Sequence, residues 1–449
     1  MLPGSGDRVL VGGLGISGLA AAAALIELGA TVIVTDDGAG AEVPGAARAV
    51  FGGMDPALIE DTDLLVVAPG VPPRAPLTAA ARDAGVPVWS EIELGYRMTD
   101  SPVIGVTGTN GKTTTTEMIA AALAGDGAIA AGNIGTTLTE VALQGAGVIV
   151  CELSSFQLEH VVSFRPRIAV LLNIAEDHID WHGSFDAYAA AKARIFANQT
   201  AGDTAIVHDD PACLPLAAGP MRVVPFAATR LPEGGAGVED GIVVASERLR
   251  FPVSSLQVEG TGMIADAVAA AAAADAFGAD PAAVARALAA FLPARHRTAI
   301  VATIGGVVYV NDSKATNPHA TLAALEGRSG VVLIAGGRNK GMDLSVLARA
   351  SGLAGVVAIG ESAGEVEAAF ADSSIPVARA ASMREAVGRA TAMAPAGGTV
   401  ILSPACASFD WYGGYAERGD DFERIVLATA ESGATGVTIG ESEDAKGDA

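Results

Sequence analysis

A glycine-rich segment that ends in a lysine and a threonine is the part of this sequence best suited to chemistry. It reads Gly105-Val-Thr-Gly108-Thr-Asn-Gly111-Lys112-Thr113, between an apolar run typical of a strand and a stretch typical of a helix that begins near Thr114. Glycines in such a loop let backbone N–H groups converge on phosphate oxygens. Lys112 can then approach the β and γ phosphates, and the Thr113 hydroxyl can bind their Mg²⁺ ion. The segment predicts a nucleoside triphosphate site; a turn that only caps a helix is the alternative, because the general spacing has glycine in place of Val106.

Two polar residues follow later apolar runs, at the positions where open α/β sheets bind their ligands. Glu152 ends the run 148–152, and His178 comes shortly after the run 168–172. A carboxylate placed like that of Glu152 could hold Mg²⁺ together with Thr113. For both residues the alternative is an ordinary solvated side chain.

Lys192 lies on a mostly apolar helical stripe. Its neighbours at helical spacing are Phe185, Tyr188, Ile195 and Phe196. Burial lowers the pKa of an amine, and a neutral amine can add carbon dioxide to become a carbamate, which is an anionic metal ligand. The alternative is a lysine that buries its stem and keeps its ammonium group in water.

A second glycine-rich loop lies near the N-terminus. Gly13-Leu-Gly15-Ile-Ser-Gly18 follows a predicted strand, and Asp36 and Asp37 stand near the end of the next one. This pattern is typical of a dinucleotide site. The second nucleotide loop downstream argues against a simple NAD-dependent dehydrogenase. The pattern predicts that the loop binds the pyrophosphate of a nucleotide, but it does not say which base that nucleotide carries.

The elements that must position these residues are short β-branched runs alternating with alanine-rich helical stretches. This alternation predicts an α/β fold with largely parallel sheets. The chain has 449 residues, which is too long for one ordinary domain. We predict a Rossmann-like N-terminal domain, a central P-loop ATPase-type domain, a Rossmann-like C-terminal domain and an acidic disordered tail, at residues 1–98, 99–293, 294–440 and 441–449.

The composition excludes several classes of protein. With 51 acidic and 28 basic side chains the formal charge is −23, which argues against binding to nucleic acid or to an anionic membrane. The uncharged run between Arg8 and Glu27 is broken by glycines, so we predict strand, loop and helix there and not a membrane span. Three separated cysteines without a CxxC pair favour a reducing cytoplasm over a disulfide framework.

The phosphate loop, in the form GxxGTNGKT, resembles that of the Mur ligase family, the ATP-dependent amide-forming enzymes of peptidoglycan precursor synthesis. Four other segments are similar to those of the D-glutamate-adding branch of that family. They are Glu152-Leu-Ser-Ser-Phe-Gln-Leu-Glu159, Asn173-Ile-Ala-Glu-Asp-His178-Ile-Asp180, Asn311-Asp-Ser-Lys-Ala-Thr-Asn317 and Ser403-Pro-Ala-Cys-Ala-Ser408.

The resemblance implies an activity. It is the addition of D-glutamate to UDP-N-acetylmuramoyl-L-alanine, with ATP consumed through an acyl-phosphate intermediate. The N-terminal domain would bind the UDP-sugar, the central domain ATP and the C-terminal domain the amino acid. Two Mg²⁺ ions and a carbamylated Lys192 are implied as well, and we expect a cytoplasmic monomer.

The resemblance also implies the residues of each site. The catalytic group would be Lys112, Glu152, His178 and Lys192. The Mg²⁺ ligands would be Thr113, Glu152, His178 and the Lys192 carbamate. The residues implied for ATP are Gly108, Thr109, Asn110, Gly111, Lys112, Thr113, Thr114, Arg297 and Asp312. Those implied for the UDP-substrate are Gly13, Gly15, Ile16, Ser17, Asp36, Pro69, Gly70 and Asn133. Those implied for D-glutamate are Lys314, Thr316, Lys340, Ser408 and Tyr415.

Two departures from the family pattern affect the nucleotide site. Where the family usually shows Gly-x-His-Asn-x-x-Asn, this chain reads Gly260-Thr-Gly-Met263-Ile-Ala-Asp266, and Ala299 replaces an acidic residue. We therefore expect changed nucleotide affinity and not lost activity. Two other functions stay open at this point: a related ligase with another amino acid or acceptor, and a non-catalytic nucleotide-binding protein.

Overall fold

The structure, a computed structural model, describes residues 2–38, 43–258, 260–431 and 437–439. The predicted acidic tail, 441–449, lies outside these residues. The chain forms two compact units: the first has the residues up to Ile174 with His178–Val253 and Ala265–Ala289, and the second has Ala175–Asp177, Ser254–Ile264 and the residues from Ala290 on. Within the described ranges, no helix is long and apolar enough to cross a membrane.

A five-stranded parallel sheet, in the order β3-β2-β1-β4-β5, opens the first unit. Its strands are β1 (Arg8–Gly12), β2 (Thr31–Asp36), β3 (Arg48–Phe51), β4 (Leu64–Val67) and β5 (Val88–Ser90), and its helices are α1 (Ile16–Glu27), α2 (Pro76–Asp83) and α3 (Glu91–Met98). The central strands β1 and β4 are buried over most of their length, as expected for a parallel sheet covered on both faces.

A six-stranded parallel sheet, in the order β11-β10-β9-β6-β8-β7, follows in the same unit. Its strands are β6 (Val103–Thr107), β7 (Ala128–Gly132), β8 (Val148–Glu152), β9 (Ile168–Leu171), β10 (Thr204–His208) and β11 (Arg222–Phe226). The helices among them are α4 (Lys112–Ala122), α5 (Leu138–Val141), α6 (Ser155–Leu158), α7 (Ile179–His182) and α8 (Phe185–Ala193). All five residues of β6 and of β8 are buried, so the two strands that carry the phosphate loop and Glu152 form the middle of the core.

A small antiparallel sheet and two helices complete the central part of the chain. They are β12 (Gly237–Glu239), β13 (Ile242–Val244), β14 (Arg250–Pro252), α9 (Thr261–Phe277) and α10 (Pro281–Ala290). Every residue of helix α9 from Asp266 to Ala274 is buried, which agrees with its run of alanines, because a helix enclosed on all sides is apolar all round.

The second unit contains a seven-stranded sheet in the order β19-β18-β17-β20-β16-β15-β21. Its strands are β15 (Ala299–Ile304), β16 (Val307–Asn311), β17 (Val331–Gly336), β18 (Leu353–Ile359), β19 (Val377–Arg379), β20 (Thr399–Leu402) and β21 (Val437–Ile439). Its helices are α11 (Pro318–Leu325), α12 (Ala363–Ala369), α13 (Met383–Met393) and α14 (Tyr415–Glu431). Among the described strands of this sheet, β15 pairs antiparallel with β16 and with β21, and the other pairs are parallel.

The predicted α/β class and largely parallel sheets are confirmed, with small shifts at element ends. Helix α4 begins at Lys112 and not near Thr114, because Gly111 adopts a left-handed conformation (φ 82°) from which the helix starts at the next residue. The sequence patterns do not predict strands β3, β7, β15, β19 and β21. The bounds of the four predicted segments stay predictions.

Candidate active site

The phosphate loop lies between β6 and α4 and is held by an asparagine from the neighbouring strand. Asn173, just past β9, accepts a hydrogen bond from the Asn110 N–H through Oδ1 (2.8 Å) and donates one from Nδ2 to the Asn110 carbonyl oxygen (3.1 Å). Its own carbonyl oxygen accepts from the Thr109 N–H at 3.0 Å. Gly108 has no room for a side chain, since a Cβ atom there would lie 2.9 Å from that of Leu172. The loop is thus shaped before any nucleotide arrives.

Two lysines that are far apart in sequence donate to the same carbonyl oxygen of this loop. The Nζ atom of Lys112 lies 3.0 Å from the Gly108 oxygen and 2.8 Å from that of Thr109. Lys192 donates to the Gly108 oxygen at 2.7 Å, and its residue is only 2% exposed. The structure therefore brings these two predicted site residues together, and the buried amine is not the lysine with a solvated ammonium group that the sequence left as an alternative.

Tyr188 connects the helix of Lys192 to the phosphate loop. Helix α8 begins after Ser184, whose hydroxyl accepts a hydrogen bond from the Ala187 N–H. One turn before Lys192, the Tyr188 hydroxyl lies 2.9 Å from Thr109 Oγ1, and the Lys192 Nζ atom lies 4.8 Å from the centre of the Tyr188 ring. The predicted apolar stripe of α8 therefore contains two polar groups, those of Tyr188 and Lys192, that bond to the phosphate loop.

Glu152 has one carboxylate oxygen bonded and one buried oxygen without a bond. It ends β8, where Val106 of β6 is its partner across the ladder. Its Oε1 atom accepts from Asn133 Nδ2 at 2.9 Å, while Oε2 has no hydrogen-bond partner among the described residues. A buried carboxylate oxygen without a partner is costly, and a divalent cation would satisfy it. The residues present thus fit an Mg²⁺ ion here.

A metal site formed by the protein alone would draw its ligands from His, Cys, Asp and Glu side chains. Over the described ranges, no group of three or more His, Cys, Asp or Glu side chains is arranged to hold an ion. A hard cation such as Mg²⁺ commonly keeps waters and takes only one or two protein carboxylates, with substrate phosphates completing its ligands. A site of that type needs the nucleotide as well as the protein.

His178 stands at the start of α7 in a left-handed conformation (φ 53°), which is uncommon for a residue with a side chain. Its ring lies 4.7 Å from that of Phe156. The same phenylalanine contacts the rings of Trp181 and His182, and His182 Nε2 lies 2.9 Å from Ser155 Oγ. An aromatic cluster thus joins the segment after Glu152 to the helix that follows His178.

The first glycine-rich loop is packed against the turn that carries Pro69 and Gly70. Gly13 has φ 85°, and a Cβ atom there would lie 2.9 Å from that of Ala68. Asp36 accepts from the Leu14 N–H (2.7 Å) and from the Gly38 N–H (2.8 Å); these hydrogen bonds lower the pKa of its carboxyl group. Asp36 therefore shapes the loop through its backbone.

At the start of α1, the remaining residues of this loop face outward. Gly15 and Ile16 are exposed, Ile16 by 67%, and Ser17 is half-buried. An apolar side chain this exposed at a helix start is available to a ligand.

The departure at Gly260 to Asp266 places a carboxylate against the phosphate loop. Asp266 is 6% exposed, and a Cβ atom at Gly111 would collide with its carboxylate. Glycine at 111 is thus required by its neighbour as well as by its left-handed backbone. A buried acidic group stands beside the site predicted for phosphates.

In the second unit, the segment that contains Arg297 contacts the start of the Asn311–Asn317 motif. His296 and Thr298 flank Arg297 in left-handed conformations (φ 66° and 52°). The Thr298 N–H donates to Asp312 Oδ1 at 3.1 Å, and Ser403 Oγ donates to Asp312 Oδ2 at 2.7 Å. Burial raises the pKa of Asp312 to about 6, although these hydrogen bonds oppose the shift.

Lys314 and Tyr415, both predicted for D-glutamate, meet directly. The Lys314 Nζ atom lies 3.7 Å from the centre of the Tyr415 ring, a cation–π contact. Ser313 Oγ also donates to the Tyr415 carbonyl oxygen at 2.7 Å. The start of α14 and the 311–317 motif thus form one surface.

Arg418 joins this surface to the segment before Ser408. Its guanidinium donates to Ser313 Oγ (2.9 Å), to the Ser313 carbonyl oxygen (2.8 Å) and to the Cys406 carbonyl oxygen (3.1 Å). Burial lowers the pKa of Arg418 to about 10. Arg338 pairs with Ala407 through two backbone hydrogen bonds, which brings the turn of Lys340 beside the same segment.

The other residues predicted for D-glutamate differ in exposure. Ser408 is buried and Thr316 is half-buried, whereas Lys340 is exposed at the tip of its turn.

Sequence profiles match three parts of the chain. They describe a Mur ligase MurD-like N-terminal domain at residues 7–90, a Mur ligase middle domain at 106–227 and a Mur ligase glutamate ligase domain at 296–406. The chain is also 47% identical to the UDP-N-acetylmuramoylalanine–D-glutamate ligase of Frankia casuarinae, with 94% of each protein covered.

The chain belongs to the Mur ligase family. A second relative of the same name, from Pelotomaculum thermopropionicum, is 43% identical over 94% of this chain and 97% of that protein. Among solved structures, a pseudomurein peptide ligase type C from Methanothermus fervidus matches with a TM-score of 0.60 and 18% identity, over 94% of this chain and 100% of that one. The MurF ligase of Thermotoga maritima, solved with ADP, matches with a TM-score of 0.59 and 17% identity, over 96% of each chain. These two structures bear on the fold alone.

Three residues of this Mur ligase chain make contacts between the predicted site segments, although the sequence patterns do not predict this for them. Asn173 belongs to the family-like motif 173–180, and an asparagine close after a buried strand is a usable signal. Arg418 shares a helical face with Tyr415 and the fully buried Phe422, so its spacing marked it as enclosed. No pattern in the sequence distinguishes His182 from a solvated histidine.

Proposed function

We propose that this protein is an ATP-dependent ligase that adds D-glutamate to UDP-N-acetylmuramoyl-L-alanine in peptidoglycan precursor synthesis. The observation that carries the proposal is the 47% identity, over 94% of both chains, with an enzyme named for that reaction. The site supports the proposal chemically, because a phosphate loop, two lysines that donate to its Gly108 carbonyl oxygen and a buried carboxylate lie at one edge of one sheet.

The reaction begins with transfer of the γ-phosphoryl group of ATP to the carboxylate of the L-alanine residue. Lys112 supports this step as a positive charge at the loop, where the transferring group develops negative charge. The amine of D-glutamate then attacks the acyl phosphate, and the tetrahedral intermediate collapses to the amide and phosphate. Because ATP and the acceptor carboxylate repel each other, holding them in place is a large part of the catalysis.

The groups proposed to hold two Mg²⁺ ions are Thr113, Glu152, His178 and a carbamate on Lys192. When bound, the ions neutralise phosphate charge and polarise the phosphoryl group. The buried Oε2 atom of Glu152, which has no hydrogen-bond partner among the described residues, supports the assignment of Glu152. For the carbamate, support comes from the burial of Lys192 among Tyr188 and the phosphate loop.

Each substrate is assigned its own residues. We assign ATP to residues 108–114 with Arg297 and Asp312, and the UDP-sugar to the Gly13 loop, Asp36, Pro69, Gly70 and Asn133. The D-glutamate set is Lys314, Thr316, Lys340, Ser408 and Tyr415. The contact of Lys314 with Tyr415 and the bridge from Arg338 to Ala407 support this last set.

The proposal includes the organisation of the chain. We retain the domains 1–98, 99–293 and 294–440, and we propose that the protein works as a monomer in the cytoplasm. All three cysteines are free and buried, which supports a reducing compartment. The molar mass of the purified protein, measured by light scattering, tests whether it is a monomer.

Phosphate release tests the function. The purified protein is given ATP, Mg²⁺ and UDP-N-acetylmuramoyl-L-alanine, with D-glutamate, L-glutamate or no amino acid. We expect release that depends on D-glutamate, with the amide product found by mass spectrometry. Release with a different amino acid would point to another ligase, and no release under any condition would point to a non-catalytic nucleotide-binding protein.

A further inference from the structure

Glu91, the first residue of α3, is a buried acid to which the proposed reaction assigns no role. It is 1% exposed. Its Oε1 atom accepts hydrogen bonds from the Thr139 N–H at 2.7 Å and from Thr139 Oγ1 at 2.9 Å. Its Oε2 atom is buried and has no hydrogen-bond partner among the described residues. Such a group costs folding free energy, so its position calls for an explanation.

Helices α3 and α5 approach each other as closely as backbones allow. A Cβ atom at Gly95 would lie 2.8 Å from both the Leu138 carbonyl carbon and the Thr139 nitrogen. With a glycine at this contact, the Glu91 carboxylate reaches the first turn of α5. Helix α3 therefore fixes the place of the segment that begins at Thr137.

Two groups of polar contacts, joined by the backbone of residues 132–137, connect Glu91 to Glu152, and we call them the Glu91 network. Thr139 Oγ1 lies 3.1 Å from Thr137 Oγ1, which caps α5 together with Glu140. The turn before Thr137 is closed by a hydrogen bond from the Gly132 N–H to the Thr136 oxygen at 2.7 Å.

Asn133, inside that turn, completes the network at Glu152. Its backbone N–H donates to the Glu152 carbonyl oxygen at 3.0 Å, and its Nδ2 atom donates to Glu152 Oε1 at 2.9 Å. The orientation of the Glu152 carboxylate thus depends on where the turn 132–136 is held. The position of this turn depends on α5, which is held by its contact with Glu91.

We propose that Glu91 is a positioning residue for the Mg²⁺ site: through Thr139 and the turn of Asn133 it holds the Glu152 carboxylate in its metal-binding orientation. The inference rests on the proposed function for the assignment of Mg²⁺ to Glu152. Groups outside the ligand shell that orient the ligands commonly tune metal affinity. Because α3 follows the sheet of the first glycine-rich loop, the network also connects that sheet to the metal site.

Metal binding is the direct test, with Mn²⁺ as a spectroscopic probe in place of Mg²⁺. The dissociation constant of Mn²⁺ is measured by electron paramagnetic resonance, in the presence of a non-hydrolysable ATP analogue, for the full-length wild type and its variants. We expect Glu91→Ala to weaken Mn²⁺ binding about tenfold. Glu91→Gln keeps an oxygen that can accept from Thr139 and should stay close to wild type.

Glu93 provides the matched control, since it is also buried on α3 but is bonded to a different segment. It accepts from the backbone of Val162, Ser163 and Phe164, outside the Glu91 network. Glu93→Gln should lower the unfolding temperature without changing the affinity for Mn²⁺. If Glu93→Gln weakens Mn²⁺ binding as much as Glu91→Ala does, the effect is general destabilisation and the inference is overturned.

A milder variant covers the case in which Glu91→Ala does not fold. Thr139→Val removes only the hydroxyl that links Glu91 to Thr137, and it should weaken Mn²⁺ binding by a smaller factor. Unchanged binding in Glu91→Ala, or in Thr139→Val where Glu91→Ala does not fold, overturns the positioning role alone. Absence of Mn²⁺ binding in the wild type would instead overturn the metal site of the proposed function and this inference with it. D-glutamate-dependent phosphate release by the wild type tests the ligase activity separately.

Discussion

The amine of Lys192 and the ammonium group of Lys112 converge on one atom, the Gly108 carbonyl oxygen, at 2.7 and 3.0 Å. Two ammonium groups at one acceptor would repel each other, and Lys192 is the more buried of the two residues. A neutral amine is the form that reacts with carbon dioxide. Conversion of Lys192 to a carbamate would replace repulsion with attraction and would place an anionic oxygen near the loop.

The first prediction concerns this modification. Lys192→Ala should lower the ligation rate at least about 100-fold, because it removes an anionic ligand of the proposed metal site. Acetate should restore part of the rate by supplying a carboxylate. Isotopically labelled bicarbonate should give a carbamate NMR signal with the wild type and with Lys112→Ala, but not with Lys192→Ala. Full activity of Lys192→Ala in bicarbonate-free buffer without acetate would rule out the modification.

The second prediction concerns the carboxylate beside the phosphate loop. Asp266 is buried against Gly111, where an ionised carboxylate would repel the phosphates of a nucleotide bound to this loop. Asp266→Asn keeps the shape and removes the charge, so it should tighten binding of an ATP analogue about fivefold, or by roughly 1 kcal/mol. Calorimetric titration measures this, with Asp266→Ala showing how much of the change is charge and how much is packing. Weaker binding in Asp266→Asn would mean that the carboxylate makes a favourable contact in the nucleotide complex.

The parts of the site that the sequence could predict are those encoded by local patterns. The phosphate loop, Glu152 and the Gly13 loop each combine a strand end with a distinctive residue, and the structure places each at the carboxyl end of a parallel strand. The backbone of the parallel sheet then determines where such residues lie. This is why the fold class could be predicted together with the edge of the sheet at which the site residues lie.

Contacts between distant segments could not be predicted in this way. The hydrogen bonds of Asn173 to Asn110 and of Arg418 to Cys406 depend on which segments meet after folding. The hydrogen bonds of Asp36 likewise could not be predicted from the sequence. Asp36 was predicted as a contact of the UDP-substrate, whereas its carboxylate accepts two backbone hydrogen bonds that shape the loop. Its contact with the substrate stays a prediction.

The third prediction concerns the cation–π contact in the second unit. Lys314 lies 3.7 Å from the centre of the Tyr415 ring, and the ring holds the ammonium group in one place. Tyr415→Leu should raise the KM for D-glutamate about fivefold, in keeping with roughly 1 kcal/mol for such a contact, and should leave the KM for ATP unchanged. Tyr415→Phe retains an aromatic face and should remain near wild type. Equal effects of the two substitutions would assign the loss to the hydroxyl group and not to the contact.

The fourth prediction concerns the pH dependence of stability. Glu93 accepts hydrogen bonds from the N–H groups of Val162, Ser163 and Phe164 and from the Arg97 guanidinium. Burial opposes the shift, but hydrogen bonds from the Ser163 hydroxyl, the Val162 N–H and Arg97 lower the pKa of its carboxyl group. A carboxyl group whose pKa is lower in the folded state stabilises the protein above its unfolded pKa, which is near 4.5, and this stability is lost as the pH falls through the folded pKa.

Glu93→Gln should therefore destabilise the first unit at pH 7 by about 1–3 kcal/mol, since buried N–H groups lose a charged acceptor. The difference from wild type should shrink as the pH falls below about 4.5, because the wild-type carboxyl group then becomes neutral as well. Urea unfolding at several pH values measures the difference. Asp61→Asn, which alters an exposed ion pair with Arg8 in the same unit, is the control and should have little effect at any pH. A pH-independent loss in Glu93→Gln would show that the hydrogen-bond geometry, and not the charge, stabilises the contact of α3 with the 162–164 segment.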